Sequence, residues 1–174
     1  MSRIFLISCS DHYAHRFEIY DALLRERGYQ TTYLTSNFDH GKKEVFSCTV
    51  PGCVQLPVPV YKKNLSLARI RSHRAFAKRV LSYLQHLPEP PAAIFCLLPP
   101  NSLAQALARY HKQSPAVPIL FDLFDLWPET FPSSRTKQLL KVPFGLWAAL
   151  RDRNLSAATW ITSECDLFRQ RLSL

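Results

Sequence analysis

The stretch RIFLISCSDHYAHRFEIYDALLRERGYQTTYLTS, residues 3–36, reads as one complete strand-helix-strand phrase. Its continuous apolar run Ile4-Phe5-Leu6-Ile7 suits a strand buried on both faces, here Arg3 to Ser10, as in parallel sheets covered by helices. Phe17, Tyr20, Leu23, Leu24 and Arg27 then recur at helical spacing, and Gly28 can adopt the left-handed turn that ends a helix. Thr31 to Ser36 returns to a strand. Such a phrase buries both faces of its first strand only if further strands lie beside it and helices cover the sheet on either side.

Working outward, the same alternation continues. Val54 to Tyr61 is apolar but holds Pro57 and Pro59, which cannot donate to a ladder, so it reads as a short edge strand. Ser66 to His86 is the longest helical pattern, with Leu67, Ile70, Ala77, Val80, Leu81, Leu84 and Leu87 as its apolar stripe. Ala92 to Leu98 is a strand, and Ser102 is read as capping a helix that carries Leu103, Ala106, Leu107 and Tyr110. Ile119 to Leu126 is another strand, closed by Pro128. Pro143 suits the first turn of a helix running from Phe144 to about Ser156. A strand from Thr159 to Ser163 and a helical stub to Leu174 complete the chain. Six strands with helices between them predict an α/β fold: a single Rossmann-like domain over residues 1–174, with a mainly parallel sheet and helices on both faces. No internal repeat or linker divides it.

Composition agrees and narrows the partners. With 47% hydrophobic and 20% charged residues, the chain has enough apolar surface to order itself as a globule. Lys and Arg number 22 against 13 Asp and Glu, a formal charge of +9, which points to anionic partners. The four glycines, Gly28, Gly41, Gly52 and Gly145, are too dispersed for a Gly-rich phosphate cradle, and no cofactor is expected. Cys9, Cys48, Cys53, Cys96 and Cys165 form no metal-binding spacing and read as reduced thiols of a cytoplasmic protein. The four apolar residues before Ser8 are too few for a leader or a membrane span. Nucleic acid is not an expected partner, because no helix-turn-helix, zinc spacing or RNP-like strand accompanies the charge.

Open parallel sheets bind ligands beyond the carboxyl ends of their strands, so the residues just after each strand are the candidate site. These are polar throughout. Ser10, Asp11, His12, His15 and Arg16 follow the first strand, and Asn37, His40 and Lys43 follow the second. Asn101 follows the strand ending at Leu98, while Asp125 and Glu129 follow the strand from Ile119. Asp122 lies three residues before Asp125, so strand alternation turns it to the opposite face and gives it a structural part. A second feature is the segment from Lys62 to Pro88. It carries Lys62, Lys63, Arg69, Arg71, Arg74, Lys78 and Arg79 and no acid, the pattern of an interfacial helix drawn to an anionic membrane surface.

IFLIS at the first strand, LLRERGYQTTYLTSNFDHGKKE (Leu23 to Glu44), ILFDLFDLWPETF (Ile119 to Phe131) and WITSECD (Trp160 to Asp166) occur in an order that resembles a known family. It is the N-terminal half of retaining, family-four glycosyltransferases of GT-B fold, especially those of bacterial surface polysaccharide biosynthesis. DLWPE is the most specific of these pieces. The resemblance implies an acceptor-binding domain of a hexosyltransferase-type enzyme. A nucleotide-sugar donor would be held by a C-terminal domain or subunit absent from this chain, which alone would be inactive. The acceptor would be a saccharide or a lipid-linked sugar, met at the cytoplasmic inner face of the cell membrane. Asp125 matches the aspartate of the family's post-strand motif. Phe124 stands where many members carry a histidine, which leaves His12 and His15 beside Asp125 as the catalytic candidates. The alternative expectation is a noncatalytic, membrane-recruiting subunit of a split transferase.

Overall fold

The computed structural model describes residues 2–10 and 14–173. Six parallel strands form the sheet, β1 (Arg3–Ile7), β2 (Gln30–Ser36), β5 (Cys53–Leu56), β6 (Ala93–Leu98), β7 (Ile119–Leu123) and β8 (Trp160–Ser163), in the order β5-β2-β1-β6-β7-β8. A two-residue antiparallel pair, β3 (Phe38–Asp39) and β4 (Glu44–Val45), sits in the connection after β2. The helices are α1 (Ala14–Glu26), α2 (Leu67–Gln85), α3 (Asn101–Gln113), α4 (Ser134–Leu139), α5 (Lys141–Asp152) and α6 (Asp166–Leu172). This is the single Rossmann-like α/β domain that the strand-helix alternation implies.

Strand alternation splits the core in two. Ile4 and Leu6 of β1 face α1, where Phe17 packs with Tyr33 and Leu97. Phe5 and Ile7 face the other way, onto Phe76 and Val80 of α2 and Leu103 and Leu107 of α3. Both sets are buried, so a one-residue slip of β1 would exchange two fitted faces, and the register Ile7 opposite Leu34 and Cys96 is correspondingly well specified. Gly28 ends α1 with φ +81°, and a Cβ there would meet no atom within 4 Å. Backbone conformation, rather than space, is what calls for glycine at that position.

Several boundaries differ from the sequence reading for local reasons. Strand β5 is an edge strand as expected, but stops at Leu56 because Pro57 has no N–H to donate. Ser102 does not cap α3: the helix starts at Asn101, and the Ser102 hydroxyl instead donates to the His73 carbonyl at 3.1 Å, tying α3 to α2. Leu67 is 79% exposed, and the buried stripe of α2 consists of Ser72, His73, Phe76, Ala77, Val80 and Leu84. Helix α5 starts three residues before Phe144, preceded by the short α4. Its Arg151 is completely buried and binds Glu129 at 2.7 Å and Asp152 at 2.8 Å, a charge that burial alone would expel. Among the described residues, no helix is long and apolar enough to cross a membrane.

Candidate functional site

From β1 the chain runs outward through β2 to β5, and α2 then carries it back to β6 on the other side of β1. The strand order therefore reverses between β1 and β6, and the crevice beyond their carboxyl ends is where such sheets receive ligands. A cavity of about 120 Å³ occupies this place. Ser8, Cys9 and Ser10 enter it from β1, Ser36 from β2, and Pro99 and Pro100 from β6. Phe124 and Asp125 enter from β7, His40 comes from the β3–β4 turn, and Arg69, Ser72 and His73 project from α2. A larger hollow of about 430 Å³ lies at the opposite, amino-terminal end of β1 and β6, around Arg3, Leu87 and Pro90, away from these polar groups.

Helix α2 delivers its part through its first turns. Ser66 caps it by accepting from the Arg69 backbone N–H at 3.2 Å, which places Arg69, Ser72 and His73 on one face toward the crevice. The Arg69 guanidinium lies over the Trp127 ring at 4.9 Å and donates from Nη1 to the Asn64 carbonyl at 3.2 Å. It also hydrogen-bonds the Tyr61 hydroxyl, while its Nε is buried with no partner. Tyr61 is buried and bonded in turn to His40 Nδ1, and Lys43 Nζ donates to the His40 carbonyl and Asn64 Oδ1.

The result is a concentrated positive field. Burial pushes the Arg69 guanidinium down from its usual range, against the pull of Tyr61, Cys9 and Asp125. Lys43 is lowered by burial and then by Arg69. Burial, followed by repulsion from Arg69, His40 and Lys43, holds the His73 imidazole well below the ordinary histidine range, so it is neutral at pH 7. Burial also pushes the Cys9 thiol and the Tyr61 phenol up to about 12, so neither is a ready nucleophile. Asp125 is the one carboxylate on the cavity wall among the described residues, half-buried and accepting from the Thr130 hydroxyl at 2.6 Å.

Of the residues expected from the sequence, Ser10, His40 and Asp125 line the cavity, and Lys43 stands behind it over Tyr61 at 5.0 Å. Asp11 and His12 lie outside the described residues, and His15 is exposed on the first turn of α1. Four others are engaged within the protein instead of at the cavity. Arg16 makes a two-pronged bond to the buried Asp122 and another to Glu164. Asn37 Oδ1 accepts from the Val58 N–H at 2.9 Å. Asn101, fully buried, donates to the carbonyls of Trp127 and Trp147 and so ties the loop after β7 to α5. Glu129 holds Arg151.

Arg69 was expected at a membrane surface, and it turns into the cavity because its helical face is that of Ser72 and His73. Lys62, Lys63, Arg71, Lys78 and Arg79 are exposed, as is Arg74, whose guanidinium lies 5.9 Å from the Trp147 ring centre. Tyr61, Ser72 and His73 escaped the sequence reading. The available signal was two polar residues, Ser72 and His73, interrupting the otherwise apolar stripe of a long helix.

No protein-family model and no curated protein matches this sequence. Solved structures match by shape. LpCGTa in complex with UDP superposes with a TM-score of 0.56 at 14% identity, over 94% of this chain and 47% of that one. The fold is that of a GT-B half-domain. The trehalose-6-phosphate phosphatase N-terminal domain of Candida albicans gives 0.65 at 14% identity, over 99% of this chain and 42% of that one. The catalytic domain of starch synthase IV from Arabidopsis thaliana, bound to ADP and acarbose, gives 0.51 at 10% identity, over 72% and 34%. The chain thus spans less than half the length of each of these structures.

Proposed function

We propose that this chain is the acceptor-binding half of a glycosyltransferase, working with a donor-binding domain or subunit outside these 174 residues. The observation that carries the reading is the cavity at the strand-order reversal, where Asp125, the one carboxylate among the described residues of its wall, stands with a cluster of cationic and neutral nitrogen groups. Two structures of similar shape, LpCGTa and starch synthase IV, were solved with UDP and ADP respectively, which supports nucleotide-sugar chemistry for the complete enzyme. In this reading the acceptor hydroxyl lies against Asp125, which orients it or takes its proton. Arg69, His40 and neutral His73 supply hydrogen bonds to the rest of the acceptor. The enzyme is a retaining, hexosyltransferase-type member of family four, acting in bacterial surface polysaccharide synthesis on a lipid-linked sugar.

The division of labour is testable. Isothermal titration of UDP- and ADP-sugars into the isolated chain should show no micromolar binding and no transfer, while the chain joined to its donor-binding half transfers sugar to acceptor. Micromolar binding of the donor by the chain alone would remove the reading.

A lipid-linked acceptor places the protein at the cytoplasmic face of the membrane. Arg71, Arg74 and Lys78 lie along one exposed side of α2, and each basic residue near an anionic bilayer contributes about 1 kcal/mol of attraction. Vesicles containing phosphatidylglycerol should sediment the protein at low salt, and changing all three residues to Glu should abolish this. Equal sedimentation with neutral vesicles would rule out electrostatic recruitment. The noncatalytic recruiting subunit is the competing reading, and it requires that Asp125 be dispensable for transfer.

A further inference from the structure

The two faces of the sheet are covered unequally. Leu6 stands opposite Phe95, Phe95 opposite Leu120 and Leu120 opposite Trp160, so one row of side chains crosses from β1 through β6 and β7 to β8 on the α1 face. Leu6 is 2% exposed beneath α1, Phe95 and Leu120 are half-buried, and Trp160 is 60% exposed. The adjacent row on the other face, Phe5, Ile94 and Ile119, is completely buried in the core shared with α2 and α3. Helix α5 packs on α3, and Leu172 of α6 joins that same core. Among the described residues, α1 is therefore the one helix on the Leu6 face, and it reaches as far as β6, where the Tyr20 and Phe95 ring centres lie 5.5 Å apart. Past α1, the strip over β6, β7 and β8 is an apolar sheet face with no helix upon it.

We infer that this strip is the seat of an amphipathic helix contributed by the donor-binding half. Parallel sheets occur with helices over both faces, and the rising exposure from Leu6 to Trp160 marks where the second layer stops. The strip has the dimensions of one helix. Three strands at ~4.8 Å spacing span about 10 Å, a helix diameter, and strands of four to six residues are roughly 13–20 Å long, the length of about 9–13 helical residues. A flat partner is held off by α1, which rises beside the strip, whereas a helix packs alongside α1 at the ~8–10 Å spacing of neighbouring helices. Position selects the source. The Arg16–Glu164 ion pair closes the strip at the carboxyl ends of the strands, the end at which the crevice opens toward the donor-binding half. The structures of similar shape each have more than half their length outside the region this chain matches, ample for such a helix. The inference rests on the reading of the chain as an acceptor-binding half and names the surface by which its partner holds it.

Hydroxyl-radical footprinting of the unaltered protein tests this, comparing the chain alone with the chain joined to its donor-binding half. Trp160 and Phe95 should both be oxidised at least tenfold more slowly in the joined protein, while Leu67, exposed on α2, reacts equally in both. Unchanged oxidation of Trp160 overturns the inference, and so does protection of Trp160 without Phe95, which marks a contact at the β8 edge instead of a helix lying across the strip. With the two halves as separate polypeptides, Trp160→Glu should weaken their association at least tenfold and leave the melting temperature of the chain nearly unchanged, because Trp160 is exposed there. Unchanged association of folded Trp160→Glu overturns the inference. A dimer of the chain alone that Trp160→Glu turns into a monomer does so as well, by giving the strip to a second copy. If Trp160 and Phe95 are protected but the joined protein transfers no sugar, the acceptor-half reading fails and the helix seat stands. Transfer with both residues unprotected fails the helix seat alone.

Discussion

Asp125→Asn, in the chain joined to its donor-binding half, should lower turnover by about 100-fold or more while moving the melting temperature little, as loss of a general base does. The expectation follows from where the carboxylate stands. Strand β7 ends at Leu123, so Asp125 lies two residues beyond a strand next to the order reversal, on the wall of the cavity. One of its oxygens, Oδ1, accepts from the Thr130 hydroxyl at 2.6 Å, which orients the group within the Leu126–Thr130 turn. That bond also supplies the control. Thr130→Val removes it without touching the carboxylate and should cost about 1 kcal/mol of stability, the net worth of one such hydrogen bond, with turnover changing only a few-fold. If Asp125→Asn is instead destabilised and fully active, the carboxylate is an anchor for the turn and leaves the site.

The second large effect concerns Arg16. Asp122 is 2% exposed on β7, the strand next to the edge strand β8, and the Arg16 guanidinium meets it at 2.9 Å, donating from both Nε and Nη2. Nearby Asp122 and Glu164 raise the Arg16 guanidinium above its usual range, against the effect of burial. Arg16→Met should therefore destabilise the domain by about 3–5 kcal/mol, because it leaves a buried carboxylate unpaired. That is a large share of the ~5–15 kcal/mol by which domains are stable. The double variant Arg16→Met/Asp122→Asn should recover most of the loss, since an uncharged amide costs far less to bury. Urea melts of the three proteins check this. A purely ligand-binding Arg16 predicts the reverse pattern, with stability unchanged in the single variant and acceptor affinity lost.

These two residues illustrate how unevenly the site could be read from the chain. The place of Asp125 on the cavity wall was legible because a strand end and a distinctive local phrase, DLWPE, coincide at it. Arg16 occupied an equally suggestive position after the first strand, but its partner Asp122 lies on β7, and nothing local to either residue announces the pairing. Asn101 and Glu129 were misplaced for the same reason. Each is polar and follows a strand, and each turns toward backbone carbonyls or a buried Arg151 that only packing brings near.

The sequence by itself determined the alternation of strands and helices, the burial of β1 on both faces, the left-handed stop at Gly28 and the edge position of β5. All of these follow from short-range causes: the two-residue period of a strand, the spacing of a helix face, the φ freedom of glycine and the missing N–H of proline. What only the tertiary structure decided is which polar groups meet. Arg69 was legible as one more cation in a basic helix, and it became the centre of the cavity because α2 crosses back over the sheet from β5 to β6 and lays its first turns across the carboxyl ends of β1 and β2. Helical periodicity determines which side chains share a face. The direction that face takes is set by the burial of Phe76, Val80 and Leu84 against the sheet, and the same rotation turns Ser72, His73 and Arg69 inward above it.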